Sequence, residues 1–128
     1  MAEHIPAELR YTEAHEWVRD DGDVITIGIT DFAQDQLGDV VYVDLPAPGS
    51  VLEGEQPFGE VESTKSVSDL FAPVSGEVVE RNEDLDEHPE QVNDDPYGAG
   101  WLLRVRPRDR ADLEGLLDAS AYEKVISG

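Results

Sequence analysis

Apolar and polar positions alternate along much of this chain with the two-residue period of half-buried strands. The clearest run is 24–29, Val-Ile-Thr-Ile-Gly-Ile, which is rich in β-branched residues. Residues 15–19 predict a strand before it, and Asp20-Asp21-Gly22-Asp23 supplies Asp-Gly turn chemistry between the two. The period then changes. Phe32, Ala33, Gln36 and Leu37 recur at helical spacing, Thr30 or Asp31 can cap that helix, and Gly38 stops it. A second strong strand follows over 40–45 and is broken by Pro46-Ala47-Pro48-Gly49. Val51-Leu52, a turn at Glu53-Gly54-Glu55, a hairpin of 58–62 with 67–71, and a strand over 77–81 come next. A helical turn near Pro89 and a last strand over 101–105, stopped by Pro107, complete the β portion. Two helices end the chain. Asp109 caps the first, with Leu113, Leu116 and Leu117 on one face; Ser120 with Glu123 fits a capping box for the second, grouping Tyr122, Val125 and Ile126.

Short strands with turn signals at intervals of about eight to twelve residues predict a mainly β fold, a flattened barrel-like sandwich with short peripheral helices and a C-terminal helical segment. The length of 128 residues suits one domain, with a core over roughly 10–106 and a helical brace over 108–127. There is also an internal echo. Leu45-Pro46-Ala47-Pro48-Gly49 before Val51-Leu52-Glu53 resembles Ala72-Pro73-Val74-Ser75-Gly76 before Val78-Val79-Glu80. Two similar β units flanking the hairpin would give approximate two-fold symmetry.

Charge narrows the function. Thirty Asp and Glu against nine Lys and Arg give a formal net charge of −21. Nucleic acid is an improbable partner for such a chain, because phosphate binding needs clustered cations. The acids are spread through the whole chain, and that self-repulsion is relieved where salt shortens the screening length to about 3 Å at 1 M. A salt-rich cytoplasm is therefore expected. With no cysteine, disulfides, thiolate metal sites and cysteine nucleophiles are excluded. His4, His15 and His88 show no metal-ligand spacing. Residues 1–10 contain no apolar run of the kind a leader needs, and no stretch matches a membrane span, so the cytoplasm is the expected location.

The candidate chemistry lies at the hairpin tip. The chain has two lysines, Lys65 and Lys124, and seven arginines. Where charge alone is needed it uses Arg. An amine, unlike a guanidinium, can lose its proton and be acylated. Ser63-Thr64-Lys65-Ser66 lacks the glycine of a type I′ or II′ turn, while Ser at the first position suits a type I turn with Thr64 and Lys65 in its centre. The paired strands hold such a tip still and present its side chain outward. No catalytic constellation accompanies it. Trp17, Phe58, Phe71 and Trp101 are expected in the core, and the serines around Lys65 serve the turn.

Residues 60–70, Glu-Val-Glu-Ser-Thr-Lys-Ser-Val-Ser-Asp-Leu, closely resemble the lipoylation hairpin of glycine cleavage system H proteins. Four further blocks occur in the same order: Tyr11 with His15-Glu16-Trp17-Val18, 27–43, 72–78, and 92–102. Biotinyl domains place Met on both sides of the lysine, where Thr64 and Ser66 stand here. The resemblance implies the barrel-sandwich hybrid of lipoyl and biotinyl domains, and a carrier rather than a catalyst. Lys65 would bear lipoic acid in amide linkage. The partners implied are a pyridoxal-phosphate glycine decarboxylase, a tetrahydrofolate-dependent aminomethyltransferase, a dihydrolipoyl dehydrogenase and a lipoate-attaching enzyme. The family parks its loaded arm in a cleft away from water, and the resemblance assigns Glu16 and Asp69 to meet the amine there. Ala14 stands where relatives often have a hydroxyl residue. Two other readings stay open on the sequence: an H-like protein donating lipoate to other lipoyl domains, and an acidic binding module in which Lys65 is incidental.

Overall fold

The computed structural model describes residues 4–127. The reading of residues 1–10 as free of a leader includes 1–3, which lie outside the described residues. Among the described residues, nine strands form two sheets. β1 (Arg10–Tyr11), β2 (Glu16–Asp20), β3 (Ile25–Ile29), β5 (Val51–Leu52), β8 (Gly76–Arg81) and β9 (Leu103–Pro107) make a six-stranded sheet in the order β1-β2-β3-β9-β8-β5. β4 (Val40–Asp44), β6 (Pro57–Ser63) and β7 (Val67–Phe71) make a three-stranded sheet in the order β4-β6-β7. All pairings are antiparallel. The two sheets do not close into one barrel, so the expected sandwich is the form observed.

The strand pleat divides the apolar residues into two cores. Val18 pairs with Ile27, and these two side chains share the inner face with Ile25, Ile29, Val61, Leu70, Val78 and Val105 in the larger core. Each such aliphatic side chain contributes about 1.5–3 kcal/mol when fully buried. Tyr11 pairs with Trp17 on the opposite face of the six-stranded sheet, where both are covered by Tyr122 in a smaller core. Gly28, which pairs with Trp17, makes room for this arrangement. A Cβ at Gly28 would lie 2.5 Å from the indole Cε2 and Nε1.

Helix α1 (Asp31–Leu37) has the predicted ends. The Thr30 hydroxyl accepts from the Ala33 N–H, and Gly38 at φ 81° closes it. The echoed segments pair with each other, Val51 opposite Glu77 and Leu52 opposite Gly76. A 3-10 turn over Glu83–Asp86 was not expected; Asn82 caps it, and Leu85 anchors it in the core. The helical turn after Pro89 is α2 (Gln91–Asp94).

The C-terminal portion departs from expectation in several places. Asp109 does cap the first helical segment, but Arg110–Gly115 is a 3-10 helix. The second helix, α3 (Ala119–Ser127), is capped by Asp118, whose Oδ1 accepts from the Ala121 N–H at 2.8 Å. Ser120 lies inside that helix, so the Ser120/Glu123 capping box does not form. The reason is spacing: the backbone turns at Leu117 to pair with Tyr11, which leaves Asp118 at the helix entrance. Val125 is turned outward while Tyr122 is buried. Trp101 precedes β9 rather than starting it and is only half-buried, with Arg104 over its ring at 4.4 Å. Phe58 is half-buried and packs against the larger core, and Phe71 is half-buried as well.

Candidate functional site

The hairpin of β6 and β7 bends at Thr64 and Lys65, the two residues the sequence places at its centre. Among the described non-glycine residues only His15 and Glu55 have positive φ, so neither Thr64 nor Lys65 takes the left-handed conformation of the primed turns. Ser63 organises the bend. Its Oγ accepts from the N–H groups of Lys65 at 3.3 Å and Ser66 at 3.1 Å, and its own N–H donates to the Ser66 carbonyl. The Thr64 N–H reaches across to the Asp39 carbonyl at 3.0 Å, which ties the tip to the end of α1. Lys65 is exposed on this fixed tip. Its side chain runs over Gly38, where a Cβ would come within 3.0 Å of the lysine Cε.

A cleft of about 550 Å³ starts beside the tip and runs along the free edge of β7. Ser66, Ser68 and Asp69 line the hairpin end. Ile29, Phe32, Ala33, Leu37, Leu70 and Phe71 form an apolar wall, much of it supplied by α1. His15 and Glu16 stand at the far end, beside Phe71. At about 3.3 Å per residue, the strand from Val67 to Phe71 separates the two ends by roughly 13 Å. A lysine side chain extended by a medium-length acyl chain can span that distance.

Glu16 is the chemically distinctive group. It is 2% exposed. Its Oε1 accepts from the Thr12 hydroxyl at 2.7 Å, and its Oε2 accepts from the Phe71 N–H at 3.2 Å. Burial pushes the carboxyl up to about 7, against the opposing pull of the hydrogen bonds from Thr12 and Phe71. Each oxygen keeps lone-pair capacity for another donor. A second cavity of about 470 Å³, lined by Tyr11, Pro73 and Leu116 among others, also reaches Glu16. Asp69 differs from Glu16. It is exposed at the cleft rim, in register with Glu60. Thus the structure brings Glu16 and Asp69 into one cleft with the hairpin, one buried at its end and one at its edge. Ala14 lines both cavities.

Sequence reading did not single out Thr12 or Phe32. A hydroxyl four residues before a Glu gives no signal by itself, and Phe32 was visible only as part of a helix face. His15 is likewise unreadable as an outlier. It holds φ 76°, which sequence pattern does not disclose.

Charge is segregated in space. All seven arginines lie on the strands of the six-stranded sheet or in the segment after β9. The outer face of the three-stranded sheet carries Asp44, Glu60 and Asp69 in one cross-strand row and Tyr42, Glu62 and Val67 in another. None of these four carboxylates is in an ion pair among the described residues.

The family model described as glycine cleavage H-protein matches residues 9–128. The chain belongs to the glycine cleavage H-protein family. It is 52% identical over 125 residues to a glycine cleavage system H protein of Bacteroides thetaiotaomicron, covering 98% of this chain and 99% of the relative. It is 57% identical over 127 residues to a probable glycine cleavage system H protein of Natronomonas pharaonis, covering 99% of this chain and all of the relative. Its fold matches the crystal structure of a glycine cleavage system H protein from Mycobacterium marinum with a TM-score of 0.88 at 42% identity, over 97% of this chain and 100% of that one. No helix among the described residues is long and apolar enough to cross a membrane.

Proposed function

We propose that this chain is the lipoate-bearing shuttle subunit of a glycine cleavage system, a carrier and not a catalyst, with Lys65 as the attachment point. The observation that carries the reading is the exposed Lys65 on a braced turn at the mouth of a cleft that ends on a buried carboxylate. The residues fit a lipoyl arm. Ser63 and the Thr64–Asp39 bond fix the backbone of the tip, so an attaching enzyme meets Lys65 on a rigid support. The apolar wall suits the methylene chain, and Glu16 suits an ammonium at its end. When attached, the lipoyl group supplies a disulfide that opens to accept an aminomethyl unit and two electrons, chemistry the cysteine-free chain does not have itself.

The chain's own residues would protect the load. Phe32, Leu37 and Phe71 exclude water along the cleft, and Glu16 holds the amine by charge and hydrogen bonding. Asp69, at the rim, would meet the arm as it enters. The partners are those of the system: the decarboxylase, the aminomethyltransferase, the dihydrolipoyl dehydrogenase and the attaching enzyme. Tethering on one arm gives each of their sites a high local concentration of the group. A partner reaching Lys65 meets the unpaired carboxylates of the three-stranded sheet, so its contact surface would carry compensating positive charge.

Intact mass tests the reading directly. Incubation with a lipoate-attaching enzyme, lipoate and ATP should add one lipoyl group, mapped to Lys65, and Lys65→Arg should abolish it while leaving the fold intact. Modification at Lys124, or none on a folded chain, would overturn the assignment. A glycine decarboxylation assay with purified partners then separates the shuttle from a protein that only relays lipoate.

A further inference from the structure

From the contacts around the C-terminal helix we infer that Tyr122 is a positioning residue for the arm cleft, holding its far wall through one buried hydroxyl. This rests on the carrier reading above. Tyr122 lies 107 residues from His15 and 92 from Thr30, yet its hydroxyl is 2.9 Å from His15 Nδ1 and 2.7 Å from Thr30 Oγ1. Both partners belong to the cleft's supports. His15 lines the cleft next to Glu16 and holds φ 76°, a left-handed conformation uncommon for a residue with a Cβ. Thr30 is the N-cap of α1, the helix that supplies Phe32, Ala33 and Leu37 to the wall.

The connection is redundant in a way that points to positioning. The Thr30 N–H already donates to the His15 carbonyl at 3.0 Å, so the two backbones meet without Tyr122. What Tyr122 adds is control of the side chains. The His15 ring is caught between the tyrosine hydroxyl and Phe32, whose ring centroid is 4.9 Å away. Tyr122 is itself fixed, fully buried and stacked on Tyr11 at 4.8 Å with an interplanar angle of 11°. The chain of contact therefore runs from α3 through one hydroxyl to both the entry of α1 and the residue before Glu16. Removing the hydroxyl leaves two polar groups short of a partner and frees the His15 ring to move into the cleft.

Tyr122→Phe keeps the stacked ring and deletes only the oxygen. Ile126→Ala, on the same helix, loosens the packing and keeps the hydroxyl. On the unmodified chain, Tyr122→Phe should speed amide exchange in α1 by roughly fivefold and shift the His15 ring nitrogen signals. Ile126→Ala, compared at a matched loss in melting temperature, should leave both near wild type. On the lipoylated and loaded protein, Tyr122→Phe should shorten the time the arm holds its one-carbon unit against water by a similar factor, with lipoylation complete. Unchanged exchange in α1 and unchanged His15 signals would overturn the inference, as would equal effects from Ile126→Ala. The first measurement needs no lipoate, so it decides the role of Tyr122 even if Lys65 is never acylated.

Discussion

Glu16→Gln isolates the energetic consequence of placing a carboxyl at the end of the cleft. In the unfolded chain Glu16 titrates near its ordinary value of 4.5; folding raises this to about 7 because burial disfavours the charge. Below the lower value the group is protonated in both states and contributes no pH dependence. Between the two values the folded chain retains a proton that the unfolded chain has released. Stability therefore falls as pH rises through this window, and the full cost is present above about 7. At 1.36 kcal/mol per pKa unit, the cost approaches about 3 kcal/mol. Glutamine has nearly the same shape and no charge. Its carbonyl can accept from the Phe71 N–H and its amide can donate to Thr12 Oγ1, so both existing contacts survive. The variant should gain on wild type by up to about 3 kcal/mol between about pH 5 and pH 8. Urea unfolding of both proteins across that range, in molar KCl to screen the rest of the surface, measures the difference. Asp20, Asp21 and Asp86 are held below the usual carboxylate range, so their effects fall at lower pH and cancel between the two proteins. A difference that stays flat with pH would refute the buried-carboxylate argument. An ammonium docked beside Glu16, as the proposed carrier role requires, would relieve the same cost. Glu16→Gln should also release the loaded arm to water faster than wild type, even where it is the more stable protein.

Gly28→Ala should destabilise by about 2–3 kcal/mol, because its methyl would lie 2.5 Å from a fully buried indole whose Nε1 donates to the Pro96 carbonyl at 2.9 Å; thermal melts should show a fall of roughly 10 °C. The net charge of −21 predicts a melting temperature that climbs as KCl approaches 1 M, where screening acts over about 3 Å. No gain with salt would mean that self-repulsion does not limit this fold.

The sequence by itself determined the local elements and the position of the candidate amine. The β-branched run of β3, the Thr30 and Gly38 ends of α1 and the Ser63 turn depend on neighbours a few residues apart. Lys65 was legible for the same reason: a scarce amine at a hairpin tip inside a recognisable block. Tertiary structure decided everything that depends on which faces meet. Glu16 is buried because β2 brings it beside the Phe71 amide, 55 residues away, and no local pattern separates it from the other acids. The C-terminal caps shifted for a similar reason: pairing of Leu117 with Tyr11 placed Asp118, not Ser120, at the helix entrance. Composition gave the total charge. The separation of the arginines, on the six-stranded sheet and the segment after it, from the unpaired carboxylates on the face of the other sheet comes from strand order, because residues distant along the chain become neighbours only when the sheets form.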